Sequence, residues 1–103
     1  MAILSKTTEQ IVEKLFSVAE QDEVREILVN QCGNNLPFLA EADEHKLERF
    51  RFAVLKLSQG NLEELHRAVQ LAKVDWRDLL MAAGFGHDVK AHEKWAQSLL
   101  DAK

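Results

Sequence analysis

The chain has 103 residues and a formal net charge of −4, long enough for one domain that buries its own core without a metal or a disulfide. Hydrophobic residues make up 47% and charged residues 29%, with 4 Gly and 1 Pro, a balance that excludes intrinsic disorder, collagen-like repeats and turn-dense all-β folds. Basic side chains number 13 against 17 acidic ones, so the chain lacks the basic excess that supplies much of a nucleic-acid binder's affinity.

Apolar residues recur at three-and-four spacing, and strict alternation never persists, so the chain reads as helices without strands. A first helix is predicted from Thr7 or Thr8, with Thr7 and Gln10 spaced as a capping box and Ile11, Val12, Leu15, Phe16 and Ala19 on one stripe. A second is predicted from Asp22, facing inward through Val24, Ile27, Leu28 and Cys32 and stopped by a left-handed Gly33. Leu36-Pro37-Phe38-Leu39 forms an apolar connector, where Pro37 disfavours helix at Leu36. The third helix begins at Phe38 or after Asp43 and runs to about Gln59, with Leu47, Phe50, Val54 and Leu57 on its main face.

The fourth helix has the clearest start, Asn61 with Glu64 three residues on. Its inward residues are Leu62, Leu65, Ala68, Val69 and Ala72. Asp75 caps a fifth helix facing inward through Trp76, Leu79, Leu80 and Ala83, and Gly84-Phe85-Gly86 ends it. His87 or Asp88 begins a sixth, with Val89, His92, Trp95, Ala96 and Leu99 on one side. Short connections between amphipathic helices predict an all-α, compact single-domain bundle of five to six short helices spanning 1–103.

The third helix departs from a simple bundle. At about 100° per residue, Phe52 points away from Phe50, and Leu55 joins it on a second apolar face. Either helices pack on both sides, or Phe52 and Leu55 form an exposed patch of the kind that marks interaction sites.

Charge is unevenly spread: residues 1–50 carry a net −5 and residues 51–103 a net +1. The single cysteine, Cys32, rules out an internal disulfide and CxxC motifs, which suits a reducing compartment. Its predicted place at a helix C-terminus opposes thiolate formation. The apolar run in Met1–Lys6 is too short for a signal peptide, and no stretch approaches the ~18–20 apolar residues of a membrane span. The expected location is cytoplasmic, with no membrane contact.

No constellation completes a catalytic or metal site. Glu63 and His66 have the Glu-x-x-His spacing of di-iron carboxylate bundles, but the second copy that such bundles need is missing. Glu41 and His45 are spaced to pair. His87 and His92 are five apart, about 140° around a helix, so one helix cannot aim both at one ion. His92 itself reads as a core histidine with a hydrogen-bond partner. The fourth and fifth helices have a helix-turn-helix spacing, but the second would present Arg77 alone against Asp75 and Asp78. Trp76 and Trp95 sit where aromatic side chains usually pack a core.

The stretch Arg51–Leu62, then Val74–Leu80, Ala82–Phe85, Asp88, Ala91-His92 and Trp95, resembles a group of small uncharacterised bacterial all-helical proteins. The resemblance covers about the C-terminal half and implies a fold, with no activity, cofactor or catalytic residue. The functional expectation is a cytoplasmic, non-catalytic protein–protein interaction or regulatory module without a cofactor. It acts through an unknown protein partner or self-association, with Phe38, Phe52 and Leu55 as contact residues. The alternatives are a small metal-binding protein or enzyme using Glu63 and His66, or His92, and a helix-turn-helix-like DNA binder.

Overall fold

A computed structural model describes residues 4–101. Met1, Ala2 and Ile3, on which the signal-peptide reading partly rested, lie outside the described residues. The fold class is all-α. Among the described residues there are six α-helices and no strand: α1 (Lys6–Leu15), α2 (Val18–Gln31), α3 (Glu44–Ser58), α4 (Leu62–Val74), α5 (Trp76–Ala83) and α6 (Ala91–Asp101). A short 3-10 turn, Pro37–Leu39, stands between α2 and α3. No helix among them is long and apolar enough to cross a membrane.

α3 is the central element, packing against α1, α4, α5 and α6. Six successive residues, Phe50 to Leu55, are buried on every side of the helix. A helix apolar or enclosed all round belongs inside a fold rather than on its surface. Phe52 is 1% exposed and Leu55 0%, so the second apolar face is core and offers no surface patch. Phe52 packs against His92 and Trp95 of α6, and α1 closes over both helices.

Arg51 is the one charged side chain in that buried run. Its Nε donates to the Cys32 carbonyl at 3.1 Å, satisfying the C-terminal end of α2. Gly33 makes room for this. A Cβ there would stand 2.7 Å from an Arg51 terminal nitrogen. Gly33 is not left-handed, contrary to expectation; Gly60 and Gly84 are the glycines with positive φ.

Three helix starts differ from the predicted ones. Ser5, rather than Thr7, caps α1, accepting from the Thr8 N–H at 3.2 Å while its hydroxyl donates to Glu48 of α3 at 2.6 Å. α2 starts after Ser17, not at Asp22, because Phe16 adopts an extended conformation and turns its ring into the core. Ser17 Oγ donates to Glu20 at 3.3 Å, and Asp22 lies inside the helix paired with Arg25. Ala19, assigned to the first helix's stripe, is exposed in the first turn of α2. α6 begins at Ala91, after a turn in which Asp88 accepts from the Lys90 N–H at 2.8 Å. Val89 is consequently exposed.

Asn61 and Asp75 cap as predicted. Asp75 accepts from two backbone N–H groups, of Arg77 at 3.1 Å and Asp78 at 3.2 Å. We expect Asp75→Ala to cost about 1 kcal/mol, read as a lowered urea midpoint with an unchanged slope, since α5 has only two turns to hold it. Gly84, at φ 81°, closes the other end and lets the Phe85 N–H return to the Leu80 carbonyl at 2.8 Å. Phe85 is thereby folded onto the core at 1% exposure.

Candidate functional site

Of the residues predicted to meet a partner, Phe52 and Leu55 are interior and Phe38 is half-buried. Phe38 lies 5.1 Å from the Phe50 ring and stacks on Trp76 at 5.7 Å. It props Trp76 outward: Trp76 sits at the opening of α5 and remains 36% exposed, not wholly inward as predicted.

Trp76 forms part of a groove of roughly 400 Å³ whose walls are Arg49, Arg77, Leu80, Met81 and Gly86. Met81 is 53% exposed. The Arg77 guanidinium lies over the indole at 5.2 Å. Arg49 reaches in from α3 and donates to the Phe85 carbonyl at 2.7 Å. Neither guanidinium has a carboxylate partner among the described residues, whereas Arg25 pairs with Glu9 and Asp22, and Arg67 with Glu63 and Glu64. An exposed indole, an exposed thioether and two uncompensated guanidinium groups therefore share one concave face. Sequence periodicity placed Trp76 inward because position 76 does follow the spacing of Leu79, Leu80 and Ala83. It could not show that Phe38 and Phe50 already fill the space behind it.

Glu63 and His66, the predicted metal pair, are both exposed on α4. Glu63 pairs with Arg67 at 3.5 Å, and His66 lies 3.9 Å from Glu23 of α2. No third donor joins them among the described residues. His87 lies in the turn before α6 and is exposed. Glu41, spaced to pair with His45, is an exposed turn residue.

His45 instead meets α6. Its Nε2 lies 3.0 Å from Glu93 Oε1, and its ring meets the His92 ring edge-on at 4.8 Å. One donor atom each from His45, His92 and Glu93 lies within 4.8 Å of the other two. His92 is 0% exposed, against Phe52 at 5.5 Å and Phe85 at 6.2 Å. It is a core histidine as expected, but without the expected hydrogen-bond partner: among the described residues none meets either ring nitrogen. Burial first, then the neighbouring His45 and Arg49, lowers its pKa against the opposing pull of Glu93 and Asp88. Sequence spacing could not find this pair. The two histidines are far apart along the chain, and only the packing of α6 on α3 joins them.

Cys32 is fully buried at the end of α2, and burial pushes its thiol pKa up to about 12. That environment makes it an inert thiol. Comparison with protein-family models, with curated proteins and with solved structures finds no match to this chain.

Proposed function

We propose that this protein is a non-catalytic, cytoplasmic interaction or regulatory module, and that its working surface is the α5 groove rather than the second face of α3. The observation that carries this reading is the pairing of exposed Trp76 and Met81 with Arg49 and Arg77, two guanidinium groups without a carboxylate partner among the described residues. Trp, Met and Arg are enriched at the anchoring centre of protein interfaces. The occupant that fits is a protein segment carrying an apolar anchor flanked by Asp or Glu. The anchor would lie on Trp76 and Met81, and its carboxylates would meet the two arginines.

DNA is the poorer fit for the same face. Asp75, the N-cap of α5, and Asp78 in its first turn stand beside Arg77, and phosphates would be repelled there. Self-association through the groove is a further outcome that the experiment separates.

The test is fluorescence anisotropy of the full chain against labelled peptides about four helical turns long. One set is acidic with a central apolar residue, another has the same anchor with Lys in place of Glu, and labelled duplex DNA is titrated beside them. The acidic set should bind, weaken as salt rises, and lose at least tenfold in affinity in Arg49→Ala/Arg77→Ala. Selection of the lysine set or the DNA, binding untouched by the double substitution, or a chain that only dimerises would each contradict the reading.

A further inference from the structure

We infer that His45, His92 and Glu93 form a binding site for a divalent transition-metal ion of the zinc class, at the junction of α3 and α6 and sharing no ligand with the neighbouring α5 groove. Three observations carry it.

The first is the donor set. Two imidazoles and one carboxylate, each with a donor atom within 4.8 Å of the others, are the ligand types zinc takes when three protein groups hold it and a fourth position stays open to water. The second is His92. It is 0% exposed, with both ring nitrogens buried and unpartnered among the described residues. Buried polar groups almost always have a hydrogen-bond partner, so an exception calls for an explanation. A metal ion on one nitrogen supplies it at that atom. The third is the surroundings. Phe52 and Phe85 wall the inner side of His92, while the side chains of His45 and Glu93 are 46% and 48% exposed. Solvent therefore reaches the site from the side of the two ligands free to move.

The geometry sets what must happen on binding. Donors around tetrahedral zinc lie about 3.3 Å apart, given metal–ligand bonds of about 2.0–2.1 Å. The three donors as they stand span up to 4.8 Å. His92 is fixed by packing, so His45 and Glu93 make the adjustment, exchanging their 3.0 Å contact for a shared ion. Electrostatics are mixed. Glu93 and Asp88 favour a cation near His92, and Arg49 opposes it. His45 and His92 each stand second in their helix, where the helix dipole is positive and also unfavourable. Glu93 is the ligand that offsets both, which makes it the sensitive position. Ion binding would tie the first turn of α6 to the first turn of α3.

The experiment uses tag-free full-length protein stripped with chelator, then titrated with Zn²⁺ alone by calorimetry. A parallel titration with Co²⁺ follows the visible absorption of low-coordinate cobalt. One ion should bind per chain, with a rise in thermal midpoint. His45→Gln and Glu93→Gln should each weaken binding at least tenfold, and their exposed side chains leave the metal-free fold unchanged. His92→Phe, which fits the aromatic pocket, should abolish binding; if it fails to fold, the other two variants still decide. His66→Gln should have no effect. No heat and no cobalt band at excess metal would overturn the proposal. So would binding that His45→Gln and Glu93→Gln leave intact, or that His66→Gln removes.

Discussion

Phe52→Ala is expected to destabilise the bundle by about 3–5 kcal/mol, the range for truncating a buried Phe. Small domains have only about 5–15 kcal/mol in total, so this single change takes a large share. Phe52 is 1% exposed and touches the rings of His92 and Trp95 across the α3–α6 contact. Truncation leaves a cavity that three helices would have to collapse upon, and α3 cannot move far because it is packed on both sides. Urea unfolding followed by far-UV circular dichroism reads the loss directly. Phe52→Glu should give no folded protein, since an unpaired carboxylate would be buried among aromatic rings. A change below about 1 kcal/mol for Phe52→Ala would mean that α1 and α6 do not cover α3 as described. It would also restore Phe52 as a surface residue.

Gly60→Ala should be the second severe substitution, costing about 2–4 kcal/mol. Two effects combine. Gly60 has φ 79°, which a Cβ resists. A Cβ there would also lie 2.6 Å from the Leu15 carbonyl oxygen at the end of α1. That atom belongs to backbone and cannot rotate away, so α1 must shift against α3. Gly84 provides the control. Its φ is 81°, but the nearest atom to an added Cβ is the Lys56 Nζ at 3.6 Å, in ordinary contact. Gly84→Ala should therefore cost about 1–2 kcal/mol from backbone strain alone. Thermal unfolding of the two variants side by side checks the order. Equal effects would show that the approach of α1 to the α3–α4 turn is looser than 2.6 Å implies.

The sequence carried the helices well and their joining poorly. α4 and α5 were legible because Asn61 and Asp75 cap through their own side chains and Gly84 closes α5 locally. Each of those signals lies within a few residues. The break at Phe16 has no local signal, because Phe16 continues the apolar spacing of α1 and only its burial elsewhere pulls it out of the helix. Gly33 does follow the end of α2, but its role there is to admit Arg51 from another helix rather than to adopt a left-handed turn. The two apolar faces of α3 were readable, but whether the second lay outside or inside was not, since that depends on where α1 and α6 dock. Both candidate sites share this property. Arg49 and Arg77 come from different helices, as do His45 and His92, and no spacing along one helix could bring either pair together.

The proposed docking of a partner on the Trp76 groove can be read at the indole itself. The chain has two tryptophans and no tyrosine, so its two indole N–H resonances give a simple test in an ¹H–¹⁵N spectrum. Trp76 is 36% exposed in the groove, while Trp95, on α6, packs against Phe52 and Phe85 at the core. On titration with an acidic peptide bearing a central apolar residue, the Trp76 indole should move progressively and Trp95 should stay. Movement of Trp95 alone, or a spectrum in which neither indole responds, would contradict the assignment of this face.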